Sequence, residues 1–428
     1  MSTTANAAAA AATTLTRANA MPAPTWYRLR MSNVDIDVPE LARVSEYTIE
    51  GSAAVAEGAE ANAFEAALDA AQAEWEAAHP EPFLTTAMID AGKDEDATYG
   101  GTALSRYQEE ADAIEASGSL ARAFETGTGA EAHAFLREAA GRVTVISAGA
   151  GQRATADVVV AAIDGALNAA ALDLVAEAGS ELTVNLTVDS PAAGAGFTAT
   201  SLRVFAAAGA RVHIVRTQTL DAAYTDLDDM GLFTWDNAFI DVRQTVLGAG
   251  RTYTGLAGDI RGVASRIDVD TRYLGHGEQV LDFNYELRHH GPKTQCNILA
   301  NGVLAGTSKK TLRGTIDLVR GCKGAEGLER ETVLLVDEGV DNKTVPVILC
   351  NEDDVAGNHG ATIGHVRPEQ MFYLASRGLS QEAAENMFVR AIMEQAVIDA
   401  PCEASRAGVL RLGDTLLEGF SDVFDEEA

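Results

Sequence analysis

Residues 346–379 read PVILCNEDDVAGNHGATIGHVRPEQMFYLASRGL, and the stretch joins two kinds of structure. Residues 347–350 are an apolar run of strand type, 351–354 an acidic crossing, and a segment bearing glycines and His359 follows before the pattern becomes helical. His359 stands between Asn358 and Gly360, residue types that let the backbone turn tightly. The reading is therefore a turn histidine, outside any packed interior, at the boundary between a strand-built body and a helical end.

Upstream, from Val143 to about Cys350, side chains alternate with a period of two, the mark of strands with one buried face. Leu182, Val184, Leu186 and Val188 alternate with Thr183, Asn185 and Thr187, and Leu281, Phe283, Tyr285 and Leu287 with Asp282, Asn284, Glu286 and Arg288. Glycines at 248, 262, 275, 291, 302, 314, 327 and 339 read as punctuation between these segments. Strand units recurring at roughly 12 to 20 residues suit a solenoid or a sandwich, and periodicity alone does not choose between them. The scarcity of two-residue hairpin signals, with Asp164-Gly165 as an exception, favours the solenoid weakly.

Downstream, Pro368 suits a first helical turn, Met371, Phe372, Leu374 and Ala375 form an apolar stripe, and Gly378 suits a stop. Ser380 can cap a second helix carrying Met387, Phe388, Ala391, Ile392 and Gln395, ended by Pro401. A last helical piece is expected over 404–420, before an acidic tail. At the other end, residues 1–20 are an alanine-rich segment expected to be disordered, and Trp26, Tyr27 and Leu29 lie on a short extended piece. Phe64, Leu68 and Trp75 have helical spacing within 52–78, and a second helical region is expected over 103–140. The boundaries that result are a tail over 1–20, a helical N-terminal domain over 21–140, a β core over 141–366 and a helical C-terminal domain over 367–428.

With 63 Asp and Glu against 32 Lys and Arg, the formal net charge is −31. Such a chain is repelled by phosphate backbones and anionic bilayers, which excludes nucleic acid and membranes as expected partners. Cys296, Cys322, Cys350 and Cys402 are too few and too scattered for a disulfide framework, which points to a reducing compartment. With neither a signal-peptide pattern nor an apolar run near the roughly 20 residues of a membrane helix, a cytoplasmic location is expected.

Gly149-Ala-Gly151-Gln-Arg-Ala154 has the form of a dinucleotide fingerprint, but strand-like sequence follows where a helix is required. No G-x-x-x-x-G-K-[ST], H-E-x-x-H or G-x-S-x-G occurs, so nucleotide hydrolysis would belong to another chain. His359 reads either as a turn residue bonded to a nearby carbonyl or as a metal ligand or proton carrier. Glu352, Asp353 and Asp354 read first as a solvated turn, with oxygen ligation as the alternative. Cys296 and Cys350 read as small buried hydrophobes, and His365 is uncommitted.

Asp353, Asp354, Val355, His359, Gly360, Ala361, Thr362, Gly364, Phe372, Tyr373, Leu374, Ser376, Arg377 and Gly378 match a run "DDV…HGAT.G……FYL.SRG". With this run, the chain resembles the SufB/SufD family of the SUF iron–sulfur cluster assembly scaffold, and the HGAT form resembles its SufD branch. His289-His290-Gly291-Pro292-Lys293-Thr294-Gln295-Cys296 is similar to a second segment of that family, with Cys296 where serine is usual, and the resemblance extends over about 242–396.

The resemblance implies a mainly β fold with helical ends, a right-handed parallel β-helix core between the two helical domains. It implies a scaffold subunit that is not an enzyme, pairs with a SufB-like chain and docks a SufC-like ABC ATPase. It also implies a transient iron–sulfur cluster shared with the partner and a flavin in some complexes; pairing of the chain with itself as a homodimer in isolation stays open alongside pairing with another subunit. His359 would lie at the SufB-facing assembly interface, and Met371, Phe372, Tyr373, Leu374, Arg377 and Gly378 would belong to the ATPase-docking surface. One departure stands out: the family often has cysteine two places before this histidine, and here it is Gly357.

Two other readings come from different classes. A β-helix enzyme acting on polysaccharide would use aspartates such as Asp268, Asp270 and Asp282 along one face as acid/base residues or calcium ligands. A structural solenoid would associate with itself.

Overall fold

The computed structural model describes residues 11–22, 31–57, 63–78 and 124–425. Trp26, Tyr27 and Leu29, the part of the second helical region over 103–123, and the first ten and last three residues lie outside the described residues.

The chain begins with β1 (Ala11–Ala18), which pairs antiparallel with β2 (Val34–Pro39). Next come β3 (Ala42–Val44), β4 (Thr48–Gly51), β5 (Ala54–Glu57) and the helices α1 (Ala63–Ala78) and α2 (Ala130–Ala140). Two interleaved series of parallel strands then build the body. The first sheet holds β6 (Thr144–Ala148), β8 (Ala166–Ala176), β10 (Ala195–Ala206), β12 (Ala223–Thr234), β14 (Arg251–Ile260), β16 (Val280–His289), β18 (Lys309–Leu318) and β20 (Asp341–Cys350). The second holds β7 (Arg153–Ala161), β9 (Glu181–Asp189), β11 (Arg211–Thr219), β13 (Phe239–Val246), β15 (Arg266–Gly275), β17 (Gln295–Leu304), β19 (Ala325–Leu335) and β21 (Val355–His365). Helices α3 (Pro368–Ser376), α4 (Gln381–Ile398), α5 (Glu403–Leu416) and α6 (Asp422–Asp425) close the chain.

This is a parallel β-solenoid of eight coils, each contributing one strand to each sheet. The sandwich alternative is thereby removed. Coil length varies from the 26 residues between the partners Thr225 and Arg251 to the 32 between Lys309 and Asp341. One corner repeats with one geometry: Gly151, Gly179, Gly209, Asn237, Ala264, Lys293 and Gly324 all have positive φ. Each N–H donates to a carbonyl of the next coil's corner, as from Gly179 to Ala208 and from Ala264 to Pro292. Three of these seven positions are not glycine, so the repeat is held by stacked backbone hydrogen bonds as well as by residue type.

The interior is aliphatic over most of its length, with Leu172, Leu202, Leu232, Ile260 and Leu287 from the first sheet facing Leu182, Val212, Ile240, Ile267 and Ile298 from the second. Each such side chain contributes about 1.5–3 kcal/mol by leaving water. Strands of the second sheet alternate buried and exposed, as β7 does, while β8 is buried at all eleven positions. The outer face of the first sheet explains the difference. Leu15, Ile36, Val38 and Leu136 cover Leu167, Phe197 and Leu227, and Phe64 and Leu68 cover Val145, Phe205 and Phe233. A sheet buried on both faces reads as near-continuous in burial.

Several expectations are corrected. The segment 11–18, read as disordered tail, is a strand covering the first sheet. The N-terminal part is not purely helical, because β2 to β5 precede α1, which begins at Ala63 rather than near Ser52. Gly302, Gly314 and Gly327 lie within strands, where they make room for the side chains of Tyr273, Glu329 and Ile316 instead of turning the chain. The Gly149 to Ala154 motif joins β6 to β7 with no helix after it.

Midway along the interior, polar groups replace the aliphatic ones. Arg216 is fully buried, with Nη2 2.7 Å from Asp226 Oδ2 and Nε 3.2 Å from Asp228 Oδ1. Thr198 and Thr200 donate to the same two carboxylates, and Gln244 Nε2 donates to Asp228 and accepts from Tyr285 and Thr271 through Oε1. Burial pushes the Asp228 carboxyl up to about 6, against the opposing charge of Arg216. A carboxyl raised on folding stabilises the fold below its unfolded value near 3.9 and loses that contribution as pH rises through about 6. Asp228→Asn is therefore expected to gain stability relative to the parent chain between pH 4 and 6, read as the difference between two urea-denaturation series. A difference that stays flat with pH would place the titration elsewhere.

Candidate functional site

The two ends of the solenoid differ. At its start β4 and β5 pair antiparallel with β7 and β6, ending both sheets. At its far end β20 and β21 are the outermost strands of their sheets among the described residues. Their outer edges present backbone groups without a strand partner, the feature that recruits another chain.

His359 lies on this last coil. The segment 355–365 is not a turn but the strand β21, paired with β19 over its whole length. His359 is exposed and stands in register with Glu329, so alternation puts both on the inward face, His359 one coil above. Gly357 faces the same way. A Cβ there would meet Ile348 Cγ2 at 3.1 Å and Leu318 Cδ1 at 3.4 Å, so this corner of the last coil is filled by aliphatic side chains. The turn at 351–354 is braced, with the Gly321 amide donating to Glu352 Oε2 at 2.9 Å and the Gly324 amide to the Asp354 carbonyl. The first of these bonds holds the Glu352 carboxyl below its usual range.

Beneath His359 the interior is polar again. Lys310 is buried and bonded to Glu331 and to Thr344 Oγ1, while Tyr273 donates to Glu331 Oε1 at 2.8 Å and Thr344 donates to Glu331 Oε2. Burial lowers the Lys310 ammonium, opposed by Glu331. Glu329 sits beside this cluster, 2% exposed, with Oε2 buried and unbonded. Burial, then the charge of Glu331, pushes its carboxyl up to about 8, with Lys310 opposing. Sequence reading missed Glu329, Glu331 and Lys310, because only coil register brings them under His359.

Beside the last coil, α3 and α4 begin the helical end as expected. Pro368 opens α3, Gly378 follows it with φ 92°, and the Ser380 hydroxyl accepts from the Ala383 amide. Further along, α4 and α5 are anchored to the body by Met393, Val397, Val409 and Leu412 on Leu247 and Leu274. By contrast α3 carries exposed aromatics, Phe372 at 76% and Tyr373 at 56%, with the Arg377 guanidinium 5.1 Å from the Tyr373 ring. Met371 and Leu374 are half-buried. A groove of about 1200 Å³ runs between α3 and the turn after β19, with Met371, Phe372 and Leu379 on one wall and Asp337 and Glu338 on the other. His365 also lines it.

Other candidate residues are not brought together. Asp268 and Asp270 lie on β15 of the second sheet, whereas Asp282 lies on β16 of the first, bonded to Arg313 and Asn19. They share no face. Cys296 is buried as expected, but Cys350 is exposed, its thiol donating to the Glu352 carbonyl. An unforeseen pair joins Cys296 to His289. Thr294 Oγ1 donates to the Gly291 carbonyl and so accepts from His289 Nδ1–H at 2.8 Å, leaving Nε2 to accept from the Cys296 thiol at 3.1 Å. Burial drives His289 down to about 3 and the thiol upward, so the pair is neutral. Among the described residues, no helix is long and apolar enough to cross a membrane.

Residues 159–392, more than half of the chain, match the family model described as SUF system FeS cluster assembly, SufBD core domain. The iron-sulfur cluster assembly protein SufD of Bacillus subtilis is 31% identical over 136 residues, 32% of this chain and 31% of that protein. An iron-sulfur cluster assembly SufBD family protein of Mycobacterium tuberculosis (strain H37Rv) is 33% identical over 126 residues, 29% of this chain and 15% of the relative. One from Staphylococcus epidermidis is 32% identical over 132 residues, 31% and 28% of the two chains. The alignments thus span less than a third of each relative's length.

Proposed function

The chain belongs to the SufB/SufD family of the SUF iron–sulfur cluster assembly system, and we propose that it works there as a SufD-like scaffold subunit. In this reading it pairs with a SufB-like chain through the last coil and docks a SufC-like ABC ATPase on α3 and the start of α4. The observation that carries the proposal is the last coil, uncovered among the described residues, which presents two strand edges and an exposed His359 beside a helix with exposed aromatics. Open edges attract a second chain by strand pairing, and rigid exposed aromatics are the side chains that anchor an interface.

His359 has a role that follows from its chemistry. Iron is cargo for such a scaffold, and a neutral imidazole is a borderline ligand suited to it. One histidine holds iron weakly, so the remaining ligands come from the partner, and the interface is where the cargo is held. Movement of the ATPase pair on nucleotide binding would then shift the two solenoids and open or close that interface.

The test is recovery of the tagged chain from its own cell extract, with partners identified by mass, alongside Phe372→Asp. A SufB-like chain and an ABC ATPase are expected with the parent. Placing a charge at an aromatic anchor costs about 2–4 kcal/mol, a loss of about 30- to 700-fold in affinity. The variant should therefore lose the ATPase and keep the SufB-like chain. Recovery of the chain alone in both forms would sink the proposal and favour the self-associating solenoid.

A further inference from the structure

Glu329 is a carboxyl that the proposed function leaves unused. It projects inward from β19, is 2% exposed, and has a buried Oε2 with no hydrogen-bond partner. Its position is made possible by the opposite sheet, because a Cβ on Gly314 of β18 would stand 2.3 Å from Glu329 Oε1. The carboxyl therefore crosses the interior and lies over Gly314. Pro346 of β20 pairs with Gly314, and His359 of β21 pairs with Glu329. The last coil thus puts His359 one strand above Glu329, on the side of the interior from which that carboxyl extends.

The groups around Glu329 are spoken for. Lys310 on β18 is bonded to Glu331 and Thr344, and Glu331 on β19 also accepts from Tyr273 of β15. Among the described residues, a donor without a partner on the inward face of the neighbouring strand is the imidazole of His359. In-register parallel strands lie about 4.8 Å apart, so a ring turned inward extends across the same interior one strand spacing from the carboxyl, which has no partner for Oε2. A histidine that binds a metal through one nitrogen is commonly fixed by a carboxylate at the other.

We propose that Glu329 is a positioning residue for His359, accepting a hydrogen bond from one ring nitrogen and so directing the other outward from the end of the solenoid. The inference rests on the role proposed above for His359, and it adds that the ring is aimed from beneath. Covering of the last coil by a partner favours the inward rotamer, because it removes the water that otherwise solvates the exposed His359 ring.

The experiment uses the full chain in complex with its SufB-like partner. The imidazole nitrogens are labelled with ¹⁵N, and the His359 signals are identified by their loss in His359→Ala. At a pH above the value of about 8 to which burial raises the Glu329 carboxyl, where the carboxyl is ionised and the ring neutral, the parent is expected to show one dominant tautomer. Glu329→Leu should show a mixture like that of a solvated histidine, together with about a tenfold loss of cluster accumulation. Glu329→Gln, whose carbonyl still accepts, should keep the single tautomer and most of the cluster, which separates positioning from folding.

Unchanged tautomers in Glu329→Leu would overturn the proposal. If His359→Ala itself keeps full cluster accumulation, the role of His359 fails, while the tautomer measurement still decides whether Glu329 holds the ring.

Discussion

Replacing His359 by alanine is expected to leave the chain folded and paired yet to lower cluster accumulation by at least tenfold. The structural half of this expectation follows from position. His359 is exposed on an outermost strand, and β21 is held to β19 by backbone pairing that alanine preserves. A surface substitution of this kind changes stability by no more than about 0.5 kcal/mol. Its neighbours also stay in place, since the aliphatic corner at Ile348 and Leu318 lies beside Gly357, two residues away. The functional half follows from the ligand count. The family's frequent cysteine is absent at Gly357, and Glu352 is committed to the Gly321 amide. On the inward face of the last coil His359 stands beside Gly357, while the Cys350 thiol donates to the Glu352 carbonyl and His365 lines the groove beside α3, so in the proposed reading loss of His359 would remove this chain's share of the site. Iron and sulfide content of the purified complex, set beside its subunit composition and melting temperature, measures both halves. Full cluster content in the variant would remove His359 from the assembly chemistry.

What the sequence revealed, and what it hid, follows from which interactions are local. Leu182 to Val188 and Leu281 to Leu287 announced strands because their alternation is a property of each strand by itself. The choice of solenoid over sandwich depended on the corners, and there Asn237, Ala264 and Lys293 adopt the left-handed conformation that glycine would have advertised. Their cost is offset by hydrogen bonds to the next coil, which no local pattern displays. The opposite error occurred at 355–365, where two glycines and an asparagine around His359 suggested a turn. An outermost strand needs few packed side chains, and eleven backbone pairs with β19 hold it extended.

The candidate site divides in the same way. His359 and the α3 aromatics were legible from composition and resemblance, and Ser380 and Gly378 from capping chemistry. Glu329 was not, since its relation to Gly314 and His359 arises from coil register. Residues fifteen and thirty positions away meet only once both sheets have formed.

Arg216→Ala is expected to destabilise the solenoid by about 3–5 kcal/mol, a large share of the 5–15 kcal/mol that holds a typical domain together. The guanidinium is fully buried between Asp226 and Asp228, themselves fully buried. Truncation leaves two like charges in a low-dielectric interior with Thr198, Thr200 and Gln244 as their hydrogen-bond donors among the described residues. The carboxyls must then take up protons or the coils must open. Urea denaturation near neutral pH reads the loss, and partial recovery is expected on acidification as the carboxyls become neutral. Replacing all three charges together, as Arg216→Met with Asp226→Leu and Asp228→Leu, should restore most of the stability, because an apolar replacement avoids the cost of burying ions. That triple variant also bears on function. If it folds, pairs and accumulates cluster like the parent, the midway network serves only the rod, and the chemistry belongs to the last coil. If it folds and pairs but accumulates no cluster, the interior takes part, and the assembly site is larger than His359 and its immediate surroundings.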